Sequence, residues 1–192
     1  MLCSVDADAF RVVVLTVSDS RFRGEAEDTA GPAVAELLER ELGARVCGLK
    51  VLPDEADVIA DRLRHYCDEY SIDMIVTVGG TGFAPTDVTP EATRAVIERL
   101  APGLDEAMRS ASLASVPTAM LSRGVSGIRG QTLIVNLPGS ERGAVQNLSA
   151  ILSALEHGLR KLRGDATECG GPAPGTRADT PCTNAHNAHN AH

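Results

Sequence analysis

Gly79-Gly80-Thr81-Gly82 follows an apolar run, Ile75-Val76-Thr77-Val78, and leads through a short loop carrying Asp87 to Thr89-Pro90. Clustered glycines let backbone N–H groups approach an anion closely, because no Cβ intervenes. Thr89 is placed to cap a following helix, and Pro90 falls at its first position, where a missing N–H costs nothing. Strand, glycine loop, acid, helix is how an open α/β sheet builds an anion site at the carboxyl edge of its strands. Taken alone, Gly-Gly-x-Gly is equally well read as a tight turn. Two more apolar runs end in small polar residues: Ser18-Asp19-Ser20 after the first, and Asn136-Leu137-Pro138-Gly139-Ser140 after Thr132-Leu133-Ile134-Val135. Ser140 can cap its helix, help bind a phosphate, or do both. Two facing anion sites suit a ligand with more than one phosphate, or two phosphorylated ligands.

Two acids, Asp54 and Asp87, lie in loops between a strand and a helix. A phosphate in transfer needs its charge neutralised, commonly by Mg²⁺ held by carboxylates. Helix capping is the competing reading for each. No lysine follows the glycine loop, so the Gly-x-x-x-x-Gly-Lys-Ser/Thr pattern is absent, and so is Gly-x-Gly-x-x-Gly. His65 and His157 fall in expected helices without a partner acid or nucleophile at suggestive spacing, and read as solvated or packing residues. Ser122 lacks the context of a nucleophile elbow.

The elements that must hold these residues alternate. Strands are expected over residues 11–17, 45–52 and 72–78, each followed by a helix: 30–42, 55–70 and 90–100. The polar stretch 21–29 reads as a loop. A smaller helix is expected over 104–113, a hairpin from 124–128 and 131–137 around Arg129-Gly130, and a long closing helix over 141–162. Strand–helix alternation calls for right-handed crossovers and a parallel sheet. The fold class is therefore α/β, a three-layer α/β/α sandwich with a mostly parallel sheet and one short antiparallel hairpin piece.

The 192 residues fit one domain, 1–163, and a low-complexity tail, 164–192, that ends in a repeated Asn-Ala-His and reads as disordered. Apolar residues make up 43% and aromatics 3%, so the core must be aliphatic, and stacking platforms for single-stranded nucleic acid are not expected. A formal charge of −8 without a basic block argues against nucleic-acid and membrane-surface partners. The five cysteines form no C-x-x-C pair, so neither a disulfide framework nor a zinc site is read; Cys47 and Cys67 are expected to be packing residues. No secretory leader and no membrane-length apolar stretch is seen, which makes a cytoplasmic setting the expectation.

Several ordered motifs resemble the Mog/MoaB family of molybdenum cofactor biosynthesis proteins: Val78 through Gly82; Asp87-Val88-Thr89-Pro90-Glu91-Ala92-Thr93; Ala101-Pro102-Gly103-Leu104; Ala119-Met120-Leu121-Ser122-Arg123; Gly127-Ile128-Arg129-Gly130; and Asn136 through Ser140. Ser18-Asp19 and Pro53-Asp54-Glu55 also match. The resemblance spans residues 11–162. It implies a homotrimer that binds molybdopterin and adenylylates it with ATP and Mg²⁺, with other enzymes of the pathway as further candidate partners. It also implies that Asp54 and Asp87 are the essential, metal-handling acids. Ser18, Asp19, Gly79, Gly80, Thr81, Gly82, Ser122, Asn136, Pro138, Gly139 and Ser140 match positions around the pterin and nucleotide. Asp28, Gly31 and Pro32 match a loop and helix start that borders the nucleotide in relatives. The alternative within the family is a MoaB-like protein that binds molybdopterin or its precursor without catalysis; a nucleotide-binding domain of another pathway is the third.

Overall fold

Strands form where β-branched apolar runs offer no polar periodicity. In the computed structural model, which describes residues 9–165, β1 (Arg11–Val17) and β3 (Met74–Val78) are buried throughout, apart from half-buried Arg11. That is the state of parallel strands covered on both faces. With β2 (Arg45–Leu52), β4 (Arg99–Leu100), β5 (Ser126–Arg129) and β6 (Thr132–Leu137), they form one sheet of order β2-β1-β3-β6-β5-β4. β1 pairs in parallel with β2 and β3, and β3 with β6. The β6–β5 and β5–β4 pairs are antiparallel.

Alternation along the strands divides the core. Val12, Val14, Met74, Val76, Leu133 and Val135 pack on one face with α2 (Ala30–Leu42), α5 (Pro102–Leu113) and α6 (Glu141–Leu162). Val13, Leu15, Ile75 and Ile134 face α3 (Ala56–Glu69) and α4 (Thr89–Arg94). Period-two side-chain direction thus turns one sheet into the middle of three layers.

The structure departs from the sequence expectation in five places. The helix expected over 90–100 stops at Arg94, and the chain turns into β4. Glu98 N donates to Ile128 O at 2.8 Å and Ala101 N to Ser126 O at 2.9 Å. The crossing needs Gly127, whose Cβ would lie 2.6 Å from Ile97 Cδ1 and 2.8 Å from Arg99 O. The polar stretch after β1 opens with a helical turn, α1 (Asp19–Phe22), whose cap Ser18 accepts from Arg21 N at 3.4 Å. Thr89 does not cap α4: no side-chain cap bond is made there, and its Oγ1 is buried without a hydrogen-bond partner. Cys47 is exposed rather than packed. Val12 pairs with Val46 and Val13 with Gly48, so Cys47 is the extra residue of a bulge on the edge strand. His65 does have an acid, Glu69 Oε2, 3.1 Å from its Nδ1 and one turn along α3.

Among the described residues no helix is long and apolar enough to cross a membrane. From residue 166 on, the expected tail lies outside the described residues.

Candidate active site

Sheet topology brings the carboxyl ends of β1, β3 and β6 together. Beside them opens a cavity of about 470 Å³, walled by the glycine loop, the 136–140 loop, α5 and the start of α6. The glycine loop is shaped by contacts only glycine permits. Gly79 has φ +110°, and a Cβ there would sit 2.3 Å from Val17 O. Gly80 has φ +62°, with Thr89 Oγ1 at the same 2.3 Å from its would-be Cβ. Gly79 N donates to Leu137 O at 3.0 Å, and a Cβ on Gly139 would lie 3.3 Å from Gly79 Cα, so the two loops touch. Ser140 caps α6 by accepting from Gly143 N at 3.3 Å, which sets the positive end of a 22-residue helix beside the cavity.

Arg123 fastens the loop from outside. Its backbone N donates to Thr81 O at 2.9 Å and its Nε to Gly82 O at 2.7 Å. Its Nη2 donates to Asp87 O and its Nη1 to the Glu91 carboxylate. Asp87 itself accepts from Ala84 N at 2.8 Å through Oδ2, closing the turn, and among the described residues its Oδ1 has no protein partner.

At the neighbouring strand ends, Asp19 and Asp54 clasp each other's backbones. Asp19 N donates to Asp54 Oδ2 at 2.8 Å, and Asp54 N to Asp19 Oδ1 at 2.9 Å. The Asp54 carboxylate therefore joins β1 to β2 and does not cap α3. Behind them, Asp28 Oδ2 accepts from Thr16 Oγ1 at 2.6 Å and Asp28 Oδ1 from Gly31 N at 3.0 Å. Gly31 is required because a Cβ would meet both Asp28 Oδ2 and Thr16 Oγ1 at 2.5 Å.

A sheet edge with two touching loops is shared by many nucleotide-binding folds; the residues that fill it discriminate. A family model described as "Probable molybdopterin binding domain" matches residues 13–157, which contain both loops, Asp54, Asp87 and Arg123. The chain belongs to this molybdopterin-binding domain family. It is 42% identical over 153 residues to a protein named molybdopterin adenylyltransferase from Helicobacter pylori strain J99, covering 79% of this chain and 87% of that one. To the protein of that name from Escherichia coli K12 it is 40% identical over 148 residues, covering 77% and 76%. The crystal structure of the molybdopterin biosynthesis enzyme MoaB from Thermus thermophilus matches with TM-score 0.77 and 49% identity, over 81% of this chain and 98% of that one.

Within this family fold, the expected site residues separate into two groups. Gly80, Thr81, Gly82, Asp87, Ser122, Asn136, Pro138, Gly139 and Ser140 line the cavity. Ser18, Asp19, Asp54, Asp28, Gly31 and Pro32 do not; they stand at the ends of β1 and β2 and the start of α2. Gly79 lies between, its backbone against Val17 O. Asn136 is engaged by protein through both ends of its amide: Nδ2 donates to Thr77 Oγ1 and Thr93 Oγ1, each at 2.9 Å, and Oδ1 accepts from Val125 N at 3.1 Å. It braces the cavity floor. Arg109, Arg142 and Gln146 also line the cavity and were not singled out in the sequence. Their signal was only their place on the cavity-facing turns of α5 and α6, which needs the packing to be known.

Asp105 was missed too. This cavity residue is 6% exposed and accepts from Ser126 Oγ at 2.6 Å and Ser126 N at 3.0 Å. Burial pushes its carboxyl above the ordinary range, against the opposing bonds from Ser126 and the charge of Arg109. A raised folded-state pKa means the native state disfavours the charged form. The unfolded chain therefore ionises first, and Asp105 lowers stability as pH rises through the carboxylate range. Asp105→Asn is expected to remove this loss. In urea titrations, the midpoint of wild type relative to Asp105→Asn should fall as pH rises through and above the ordinary aspartate range.

The unpartnered hydroxyl of Thr89 gives a second prediction. A buried polar group without a hydrogen bond is costly, and an apolar isostere removes the cost. Thr89→Val is expected to raise unfolding stability by about 1 kcal/mol in denaturant titration.

Proposed function

We propose that the chain is a molybdopterin adenylyltransferase that transfers AMP from ATP to the terminal phosphate of molybdopterin. The observation that carries this reading is the convergence of the glycine loop and the capped start of α6 on one cavity. The names of relatives about 40% identical support it. A volume of about 470 Å³ lies within the ordinary range for a small-molecule site.

In such a reaction an oxygen of the pterin phosphate attacks the α-phosphorus of ATP. The bond from that phosphorus to the bridging oxygen breaks, and pyrophosphate leaves with its electron pair. The nucleophile is already an anion, so no general base is needed. Positioning and charge neutralisation are the protein's work. Loop amides, the α6 terminus, Arg109 and Arg142 would offset the repulsion between phosphates. Asn136 would act by bracing, and Asp28 and Gly31 by holding the start of α2 beside the nucleotide, with Pro32 at that border. Ser18, Asp19 and Asp54 would face the nucleotide side of the junction.

Mg²⁺ belongs to the same proposal. Among the described residues no group of three or more His, Cys, Asp or Glu side chains could hold a metal ion. Asp54 and Asp87 each keep one carboxylate oxygen free of protein hydrogen bonds among those residues. That donor set fits an ion held by one or two carboxylates plus substrate phosphates. Such an ion would neutralise charge on the reacting phosphates. A cytoplasmic homotrimer passing its product to other enzymes of the pathway completes the reading. The exposed Leu113 at the end of α5 and Val116, Met120 and Leu121 after it support assembly.

Incubation with molybdopterin, ATP and Mg²⁺ should yield adenylylated pterin and pyrophosphate. Tight molybdopterin binding with no product would replace the enzyme by a binding-only protein.

A further inference from the structure

We infer that Arg123 is a positioning residue that aims the amide groups of the glycine loop at the phosphates. The inference rests on the reading of the site proposed above. A trans peptide is planar, and its N–H points opposite to its C=O. Fixing a carbonyl therefore fixes the direction of the next residue's N–H. Arg123 holds the carbonyls of Thr81, Gly82 and Asp87. The N–H groups across those peptides belong to Gly82, Phe83 and Val88. Among the described residues, none of these three N–H groups donates to a protein acceptor. Three other amides of the loop are used within it: Ala84 N is taken by Asp87 Oδ2, Asp87 N by Ala84 O, and Thr89 N by Gly80 O. Gly80, Thr81 and Thr86 N–H are open among the described residues as well; within this set of free donors, those of Phe83 and Val88 lie on peptide planes that the Arg123 guanidinium holds.

Thr81 O is held by the backbone N of residue 123, which any side chain leaves in place, but the hold on Gly82 O and Asp87 O needs a guanidinium. Gly82 O, Asp87 O and the Glu91 carboxylate are bound through Nε, Nη2 and Nη1 of one planar group. A lysine ammonium carries the same charge without that fixed fork. The loop has little else to hold it: Phe83, Ala84, Pro85 and Thr86 are exposed. Gly80 and Gly82 leave the backbone free to rotate. The Asp87 carboxylate, whose backbone carbonyl Arg123 also grips, would shift with the loop.

The test compares Arg123→Lys, Arg123→Gln and Glu91→Gln with wild type in two assays. One is steady-state adenylylation; the other is calorimetric binding of inorganic pyrophosphate alone. Arg123→Lys and Arg123→Gln are both expected to lose about 10²-fold in kcat, with a smaller change in KM for molybdopterin, because misaimed donors fail most in the transition state. Both should also bind pyrophosphate about 10-fold more weakly, as one lost charge-assisted contact would give. Glu91→Gln leaves the arginine and its fork in place, keeps an acceptor for Nη1, and should lose only a few-fold in kcat. It still reports on the clasp if the arginine variants do not fold. Full activity and pyrophosphate affinity in Arg123→Lys would overturn the inference, since charge alone would suffice. So would wild type that fails to bind pyrophosphate, or Glu91→Gln that matches wild type in both assays while the arginine variants do not fold. If wild type does not adenylylate, yet pyrophosphate binding depends on the Arg123 fork, the inference stands and the proposed reaction fails.

Discussion

Asp87→Asn is expected to fold like wild type and to lose adenylyl transfer by about 10²–10³-fold in kcat, the scale of removing one electrostatic group at a reacting centre. The two parts of this expectation have separate causes. Asp87 Oδ2 accepts from Ala84 N at 2.8 Å, and an asparagine Oδ1 can accept the same bond, so the turn is kept. Its backbone carbonyl still receives Arg123, so the clasp on the loop is kept as well. What is lost is the negative charge at the cavity wall and the oxygen free to meet a cation. Unfolding midpoints within experimental error of wild type, together with the kinetic loss, would carry the assignment. Near wild-type turnover would remove Asp87 from the chemistry.

Gly79→Ala should be the most damaging single methyl in the chain, costing about 3 kcal/mol or more of stability. Its φ of +110° lies where L side chains are strained, and the added Cβ would meet Val17 O at 2.3 Å. Neither neighbour can yield: Val17 O belongs to the β1 backbone, and Gly79 N is bonded to Leu137 O at 3.0 Å. Relief requires β1 and β3 to separate at their carboxyl ends. Guanidinium titration should show the loss, and ligand binding should weaken with it. Gly43→Ala is the contrast: φ is also positive, at +61°, but nothing lies within 4 Å of the added Cβ. The difference between the two variants contains both the close approach and the departure of +110° from the left-handed region that Gly43 occupies.

How much could be read before the fold was known differs by element. β1, β3, β6, α2 and α6 were legible because each carries one unbroken signal: a buried apolar run for the strands, a spaced apolar stripe and a glycine stop or serine cap for the helices. β4 was not. Residues 96–100 continue an acceptable helical pattern, and the extended state of Arg99–Leu100 comes from hydrogen bonds to β5 across a gap that only Gly127 leaves open. Thr89 was misread for a related reason. The Thr-Pro pair looks like a cap, yet the glycine loop packs against its hydroxyl and leaves it unbonded. The site divides in the same way. The glycines, Asp54, Asp87 and the 136–140 loop stand in recognisable local motifs. Asp105, Arg109 and Arg142 do not, because an acid or arginine on a helix looks the same whether it faces water or a cavity.

The sequence alone therefore determined the alternation of strands and helices, the strand ends where ligands would bind and the family to which the motifs belong. These rest on near neighbours in the chain, whose spacing is set by strand and helix periods. Only tertiary structure decided that the cavity lies on the β3–β6 side while Asp54 clasps Asp19 at the β1–β2 ends. It also decided that Asn136 is spent on bracing, and that Arg123, 36 residues from Asp87, holds the loop's carbonyls. Those roles depend on which atoms meet across the sheet edge, and strand order brings them together where local spacing does not.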